Sequence, residues 1–490
     1  MIIVVGSGPS GIAAATALLK RGCDVTMLDG GLTLAKNKNN NFIDPKIKLS
    51  HGSDYAYSEV KNHLNIIEDK NINCLPSFAQ GGLSNVWGSV TEFYKAKEIV
   101  NWPINISEFA PHFAAIEKIL NPAISKEEAS DNSLNTYNSS PQAKALLDHW
   151  RKNKNLLHNL HFGTAKLATK FSNSEAEFCT YCGSCQHGCP LDLIYSARHS
   201  LSDLMKNPGF TYVSNCIVDN LRETNSTVEV NTYDLSTRNS KKYIAKQVFL
   251  GCGPIISSKL ILEAIGKFNQ KISFLDSTHF LLPSLMRQRL RNSDQESLHT
   301  LAQLYLKLQD ENISNHEINL QLYTFMDHYL IPLKSVLKKA YPLFQLALSP
   351  LTDRLLAIQG HLNSSDSHGF TMFLDHNRNI NLNSVINTKT KKIIQKLAKK
   401  LNDDNKELGL RPIKSFLSIS KIGRSFHHGG SMPMRSDPNE NESDIFGKAY
   451  GLQRIHIIDA TIFPSIPAGS ITPTIMANAH RIADECSLKD

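Results

Sequence analysis

The N-terminal residues alternate between apolar runs and short polar turns at the spacing of a strand, a helix and a second strand. Residues 1–5 (MIIVV) form an unbroken apolar run, which is typical of a strand buried on both faces. Residues 12–21 are rich in alanine and predict a helix that ends before Gly22. The apolar run at 24–28 predicts a second strand, which ends at Asp29. This order predicts a parallel βαβ unit at the start of an α/β fold.

A glycine-rich turn joins the first predicted strand to the helix. Residues 6–11 read GSGPSG, and a G-x-G-x-x-G turn in this position is the pattern of a dinucleotide-binding unit when a carboxylate ends the next strand. Gly8 would let the backbone approach a pyrophosphate at the helix N-terminus, and Asp29 would accept hydrogen bonds from the adenosine ribose. The residues predicted to contact the dinucleotide here are Gly6, Ser7, Gly8, Pro9, Ser10, Gly11 and Asp29. The motif alone leaves FAD and NAD open.

Similar apolar runs return late in the chain. Residues 212–222, 247–251 and 451–459 predict further strands, and residues 474–486 predict a closing helix. We therefore expect an α/β fold class, with a Rossmann-like dinucleotide-binding domain and an inserted α+β substrate domain. The predicted boundaries give residues 1–110, 165–270 and 415–490 to the first domain and residues 111–164 and 271–414 to the second.

Three segments of the middle region carry helix-like patterns. Residues 297–308 predict a long helix, and residues 389–400 predict an amphipathic one. An apolar and basic stretch at 332–356 favours a buried amphipathic helix, with an interfacial membrane helix pair or a substrate lid as alternatives. Its longest uncharged run is too short to span a bilayer.

Composition places the chain among ordinary globular proteins. Its 490 residues are 41% hydrophobic and 20% charged, and the formal net charge of +8 is spread over solvated helix faces. These values and the motifs predict no nucleic-acid partner. The glycine-rich turn begins at residue 6 without a preceding signal-peptide pattern, so the cytoplasm is the expected compartment.

Four of the nine cysteines lie within one short run. The spacing Cys179-x2-Cys182-x2-Cys185-x3-Cys189-Pro190 is that of ferredoxin thiolates around an iron–sulfur cluster, and it predicts a [4Fe–4S] or [3Fe–4S] cluster. Structural zinc usually takes separated ligand pairs and fits this run poorly. Zinc, bare thiols and a redox disulfide between Cys182 and Cys185 remain the alternatives. The other five cysteines are scattered, which is typical of reduced cytosolic thiols.

Six separate segments follow, in order, the pattern of one enzyme family. They are residues 6–29, 81–88 (GGLSNVWG), 101–104 with 109–113, 248–253, 427–434 (HHGGSMPM) and 458–477. On these segments the chain resembles the glucose–methanol–choline (GMC) flavoprotein oxidoreductases, while residues 270–410 match that family only in outline. The resemblance implies that the bound dinucleotide is FAD.

The resemblance also implies which residues contact the cofactor. The turn at Gly81 and Gly82 would bring backbone close to the flavin, Val218 would meet the adenine, and Asp459 would lie near the ribityl chain and pyrophosphate. Trp87 is equally consistent with a cofactor contact and with core packing. The further residues carried over from the family pattern are Ser84, Asn85, Gly251, Ala460 and Ile471.

One histidine is the candidate general base. His427 matches the catalytic histidine of the family's H-x-x-G-[TS]-x-x-M pattern, and an imidazole that titrates near neutrality suits removal of a hydroxyl proton. The family commonly has Asn or His at a second catalytic position, where this chain has Ser470. Serine can donate a hydrogen bond to a substrate oxygen but is a poor base. More of the proton chemistry would therefore fall to His427 or to a histidine that the sequence does not identify.

The leading hypothesis is a FAD-dependent dehydrogenase that oxidises a small alcohol, sugar or polyol to a carbonyl. Hydride would pass to flavin N5, His427 would take the proton, and a cluster at the cysteine run would pass electrons to a one-electron acceptor protein or a quinone. An alcohol oxidase for a lipid-like substrate, with peripheral membrane contact at 332–356, is the alternative within the enzyme class. A non-catalytic electron-transfer flavoprotein subunit is the alternative from another class.

Overall fold

The computed structural model describes residues 1–33, 58–129, 135–171, 178–291, 297–325, 337–338 and 348–488. The strands are β1 (Ile2–Val5), β2 (Val25–Leu28), β3 (Ile66–Glu68), β4 (Ile124–Ser125), β5 (Thr136–Tyr137), β6 (Leu160–Thr164), β7 (Phe210–Val213), β8 (Cys216–Glu223), β9 (Val228–Asp234), β10 (Ser240–Ala245), β11 (Gln247–Leu250), β12 (Ile272–Asp276), β13 (His279–Met286), β14 (Leu304–Leu308), β15 (Ile318–Thr324), β16 (Leu355–His361), β17 (Gly369–Leu374), β18 (Ile380–Val385), β19 (Leu410–Pro412), β20 (Ser418–Ile419), β21 (His428–Gly429) and β22 (Ile455–Ile457). The helices are α1 (Pro9–Lys20), α2 (Ser58–His63), α3 (Ile106–Leu120), α4 (Pro141–Lys152), α5 (Ala197–Leu204), α6 (Pro254–Ala264), α7 (Thr390–Asp403), α8 (Asn405–Leu408) and α9 (Thr472–Glu485).

A five-stranded parallel sheet in the order β22-β11-β1-β2-β7 holds the N-terminal unit. Strand β1 lies at its centre, and all four of its residues are buried because both faces of the sheet are covered. Helix α1 connects β1 to β2, as expected for a βαβ unit. The prediction of an α/β fold with a Rossmann-like domain is thereby confirmed.

Small side chains explain why α1 fits closely into this layer. Ala13, Ala14 and Ala17 are completely buried, and α1 packs along the C-terminal helix α9. Pro9 occupies the first turn, where a missing N–H is tolerated, and Gly22 adopts a positive φ of 75° just past the end. The alanine-rich run therefore encodes close approach of two helices.

A seven-stranded antiparallel sheet forms the second large layer. Its order is β19-β13-β16-β15-β14-β6, with β20 paired to β13. Leu306, Leu320 and Ile358 are fully buried in one core on one face of this sheet, and α7 covers that core with Ile394 and Leu397. The amphipathic helix predicted at 389–400 is therefore present as α7.

The helix predicted at 297–308 is wrong. Residues 304–308 form strand β14, which pairs antiparallel with β15 and β6. The sequence LYLKL alternates, so that Leu304, Leu306 and Leu308 are buried on one side. This two-residue period fills a central strand, and sheet pairing overrides the helix-like spacing of the preceding residues.

The domain boundary after residue 110 and the helix at 332–356 both stay predictions. The predicted boundary between residues 110 and 111 falls inside α3, whose Phe109 and Ile116 both belong to the core of the parallel sheet. Most of the stretch at 332–356 lies outside the described residues, and its end enters β16. Among the described residues, no helix combines the length and apolarity needed to cross a membrane.

Candidate active site

The glycine-rich turn between β1 and α1 depends on missing side chains. Gly6 has φ of +97°, and a Cβ added there would lie 2.6 Å from the carbonyl oxygen of Gly251. A Cβ at Gly11 would lie 1.9 Å from the carbonyl oxygen of Gly6, so α1 could not approach β1 with any other residue. At Gly8 the nearest protein atom to such a Cβ is 4.0 Å away. Gly8 thus leaves its side open to the cavity described below.

Asp29 is held firmly at the end of β2. Its carboxylate accepts hydrogen bonds from the Ser7 backbone N–H at 3.1 Å, the Ser7 hydroxyl at 2.5 Å and the Tyr212 hydroxyl at 2.9 Å. Burial raises the pKa of Asp29, and the bonds from Ser7 and Tyr212 counter that shift. The carboxylate ties the glycine-rich turn to β2 and still borders the cavity.

A single cavity of about 790 Å³ runs from this turn to the seven-stranded sheet, within the range of ligand-binding cavities. It is lined by the following predicted residues: Gly6, Ser7, Gly8, Pro9, Ser10, Asp29, Gly82, Ser84, Trp87, Val218, Gly251, His427, Asp459, Ala460, Ser470 and Ile471. Gly11, Gly81 and Asn85 lie outside this lining. The fold thus brings distant sequence segments to one cavity.

The segment 81–88 forms a hydrogen-bonded turn in the cavity wall. Gly81 and Gly82 have φ of 85° and 56°, and a short 3₁₀ helix, Gly82–Asn85, follows. The Ser84 hydroxyl donates to the Gly81 carbonyl at 2.6 Å, and the Asn85 amide donates to the Gly82 carbonyl at 2.9 Å. Ser84 and Asn85 therefore stabilise the turn. The Trp87 indole N–H donates to the Tyr195 carbonyl at 2.7 Å, while Trp87 itself borders the cavity.

Asp459 caps a turn beside the cavity. It precedes a short 3₁₀ helix, Ala460–Ile462, and its carboxylate accepts from the Thr461 backbone N–H at 3.0 Å. It also accepts from the Gly253 N–H at 2.9 Å and the Ser257 hydroxyl at 2.5 Å, while burial raises its pKa. These bonds join the loops that follow β22 and β11.

His427 lies in a pair of stacked imidazoles. Its ring centroid is 4.8 Å from that of His361, with an interplanar angle of 22°. Within the described residues its Nδ1 atom is buried and has no hydrogen-bond partner. Burial, with the nearby rings of His279 and His428, lowers the pKa of His427 to about 3. The ring is therefore neutral at pH 7, which differs from the titration near neutrality expected above.

A polar face of the seven-stranded sheet forms the rest of this wall. Gln321 and Gln359 are register partners on β15 and β16, and His279 and His361 are partners on β13 and β16. All four border the cavity, as does Tyr323, whose hydroxyl donates to the Gln321 side chain at 2.9 Å. We call these five residues the polar face.

Sequence reasoning missed the polar face. Its signal is the two-residue alternation at 318–324 and 355–361, where polar residues alternate with the buried leucines and isoleucines of the core. His361 is a histidine beside His427 that the sequence did not single out. The pKa of His361 is held well below its usual value by burial, and that of His279 falls to about 4 because of burial and Arg424.

Ser470 borders the cavity, and its hydroxyl hydrogen is already used in a hydrogen bond within the protein. It donates to the Val90 carbonyl at 2.7 Å and is nearly fully buried. In this state the Ser470 oxygen can only accept a further hydrogen bond. His361, which borders the same cavity, lies close to His427, with their ring centroids 4.8 Å apart.

The four cysteines at 179–189 lie in a loop that contains a short 3₁₀ turn, Cys185–His187. Cys179 and Cys189 are partly buried, Cys185 is buried and Cys182 is exposed. Burial and the neighbouring thiols raise the pKa of Cys179 to about 12. Backbone N–H groups donate to the sulfur atoms of Cys179 and Cys189 at 3.4 and 3.5 Å. Gln186, next to Cys185, borders the cavity.

The separation of these sulfur atoms bears on the choice of metal. Within the described residues, no three of the four thiols have sulfur atoms within 4.8 Å of one another. A zinc ion bound tetrahedrally at ~2.3 Å would need sulfur atoms about 3.8 Å apart. Among the described residues, the sulfur atoms therefore do not lie at the mutual spacing of a zinc tetrahedron.

Two segments of the chain match known family models, and the whole fold matches a known structure. Residues 382–479 match the family model described as GMC oxidoreductase, and residues 4–63 match that of the NAD(P)-binding Rossmann-like domain. No curated protein sequence matches the chain. Among solved structures, pyridoxine 4-oxidase from Mesorbium loti aligns over 98% of both chains, with a TM-score of 0.64 and 12% identity. This likeness shows a shared fold.

Proposed function

We propose that this chain, a GMC-type FAD-dependent oxidoreductase, oxidises a hydroxyl group of a small polar molecule, such as a sugar or polyol, to a carbonyl. The observation that carries the proposal is the stacking of neutral His427 on neutral His361 of the polar face. Both imidazoles border the same cavity as the glycine-rich turn. Proton-accepting groups and a predicted cofactor cradle therefore share one enclosed space.

The residues present fit FAD. The open side of Gly8 leaves room for a pyrophosphate at the N-terminus of α1, where free N–H groups favour negative charge. Asp29 would hold the adenosine ribose, and Gly82, Asp459 and Ala460 would lie along the rest of the cofactor. Bound FAD would supply the acceptor for the two electrons and one hydrogen removed from the substrate carbon.

His427 would remove the hydroxyl proton. Its Nδ1 is buried and has no partner among the described residues, so we assign proton uptake to the other ring nitrogen, Nε2. A neutral imidazole has the free lone pair that this step requires, but its lowered pKa makes it a weaker base than the near-neutral histidine that the sequence predicted. His361 would donate or accept a hydrogen bond at the same hydroxyl, and Gln321 and Gln359 would bind neighbouring hydroxyl groups. A row of amide and imidazole groups suits a substrate with several hydroxyls better than a lipid-like alcohol.

The variant His427→Ala tests this assignment. We expect flavin reduction by substrate to slow by about 10²–10⁴-fold, because a general base contributes a factor of that order. The measurement is anaerobic stopped-flow absorbance of the flavin, with a panel of sugars, polyols and long-chain alcohols as substrates. The control is His158→Ala on an exposed loop. Equal reduction rates in wild type and His427→Ala, at equal flavin content, would remove His427 from catalysis.

We also propose that the four cysteines hold an iron–sulfur cluster, which would carry single electrons to an outside acceptor. The support is the compact loop, its two N–H···S bonds and its position one residue from the cavity. Protein purified without air should contain iron and sulfide and show a low-temperature EPR signal on oxidation or reduction. Cys185→Ser should lose most of that iron, while Cys23→Ser should keep it.

Flavin without iron in the protected wild-type protein would overturn the cluster proposal. In that case oxygen becomes the favoured acceptor, as in the oxidase whose fold the chain shares. Oxygen consumption with the best substrate of the panel, compared with reduction of ferricyanide, separates these outcomes.

A further inference from the structure

A second group of metal-ligating side chains lies where α3 packs against α9. His112 on α3 and His480 on α9 are 2% and 4% exposed, and their Nδ1 atoms are 2.8 Å apart. Asp484, one turn beyond His480, brings a carboxylate oxygen, so that one ligand atom from each of the three residues lies within 4.8 Å of the others. None of the three borders the large cavity.

Glu485 determines which ring nitrogen of His112 carries the proton. The His112 Nε2 atom lies 2.9 Å from a carboxylate oxygen of Glu485. A carboxylate accepts hydrogen bonds, so Nε2 carries the proton and Nδ1 keeps a lone pair directed at His480. Histidine ligands of metals usually donate their other ring N–H to a carboxylate in this way, which fixes the tautomer and orients the ring.

The local charges suit a cation. Lys20 and Arg481 are the cationic groups that face this region, and Arg481 lies 3.7 Å from Glu485. Asp484 and Glu485 offset both positive charges. The partial exposure of Asp484 gives an ion a route from solvent.

We propose that His112, His480 and Asp484 bind one divalent transition-metal ion of the zinc type, with water as a fourth ligand. Two imidazole nitrogens and one carboxylate are a donor set that zinc takes, whereas calcium and magnesium require mostly oxygen ligands. On binding, the ion replaces the hydrogen bond between the two rings, and the proton of His480 moves from Nδ1, which then ligates the ion, to Nε2. The ion then joins α3 to the C-terminal helix α9.

Zinc binding to the flavin-loaded, chelator-treated protein tests the site. Calorimetry should show one equivalent of Zn²⁺ that is lost in His480→Gln and bound at least tenfold more weakly by Asp484→Asn. His158→Gln serves as the control. Zn²⁺ should also raise the melting temperature of the wild type and not that of His480→Gln, because a ligand stabilises the state that binds it.

X-ray absorption of the single-zinc protein separates this site from the four cysteines. Nitrogen and oxygen ligands at about 2.0–2.1 Å support the proposal, and sulfur ligands at about 2.3 Å alone would overturn it. Equal zinc affinity in the wild type and Asp484→Asn, whose partly exposed side chain tolerates the change, would also overturn it. Absence of zinc binding would leave only a hydrogen-bonded histidine pair, and the proposal would then be wrong.

Discussion

At the scale of single residues, the candidate site is marked by two stacked histidines. His361 and His427 come from distant parts of the chain, stack at 4.8 Å, and each has a buried Nδ1 without a partner within the described structure. Buried polar atoms are usually satisfied, so two adjacent unsatisfied imidazoles indicate a site rather than a packing element. Their neutrality follows from burial and not from a carboxylate partner.

The variant His361→Phe keeps the aromatic stack and removes both ring nitrogens. We expect flavin to bind normally and substrate-driven flavin reduction to slow at least tenfold, because a hydrogen bond to the reacting hydroxyl is lost. Rapid-mixing absorbance at saturating substrate measures the rate, and His361→Asn should recover part of it. A reduction rate within twofold of the wild type in His361→Phe would restrict His361 to a packing role.

At the scale of elements, the side chains of the seven-stranded sheet alternate between the cavity and the hydrophobic core. Gln359 and His361 face the cavity, while Ile358 and Gly360 face the core. Gly360 lies directly beneath Phe280 of β13, and a Cβ at this glycine would be 1.9 Å from the phenyl ring. The aromatic ring occupies the space that the glycine leaves empty.

Gly360→Ala should therefore destabilise the protein without changing the polar face. Phe280 would have to move within a fully packed core, which costs about 1–3 kcal/mol in the free energy of unfolding. Urea unfolding measures this loss, and the double variant Gly360→Ala/Phe280→Leu should recover part of it. Additive losses in the double variant would show that the two residues do not compete for space.

Sequence patterns predicted the elements whose signals are local. The apolar runs and glycines of residues 1–29 and the strand before Asp459 need no distant partner to be recognised, and all appear in the parallel sheet. Strand β14 was missed because its alternation is short and its neighbours mimic a helix. The polar face was missed because the polar residues of β13, β15 and β16 are far apart in sequence and become neighbours only when these strands pair in the sheet.

At the scale of the whole molecule, buried neutral histidines make stability depend on pH. Burial lowers the pKa of His299 to about 3, of His427 to about 3, of His279 to about 4 and of His428 to about 4. In the unfolded chain these rings titrate near their usual pKa of 6.5. Below that pH the unfolded state binds more protons, so acid favours unfolding.

The free energy of unfolding should fall as pH drops from 7 to 5. Each such histidine contributes up to about 1.4 kcal/mol per pH unit over this window. Asp276 opposes the trend, because burial raises its pKa to about 6 and the folded state gains a proton there. Burial also raises the pKa values of Asp29 and Asp459 and lowers that of His361, so the histidines with a lowered pKa still outnumber these opposing carboxyls. Urea midpoints at fixed FAD concentration check this, and a midpoint that stays constant or rises towards pH 5 would contradict it.

The central position of β1 has a consequence for biosynthesis. Four of the five strands of the parallel sheet, β1, β2, β7 and β11, are complete by residue 250, whereas the edge strand β22 and helix α9 follow residue 454. The antiparallel strands β13 to β16 lie between these two groups in the chain. On the ribosome β1 can therefore pair early with both of its neighbours, while β11 keeps a free edge and α1 lacks its partner helix until after those antiparallel strands have been made. The part of the cavity wall formed by His427, Asp459 and Ser470 is completed at that late stage, so a nascent chain would hold the dinucleotide only after most of the described residues have been made.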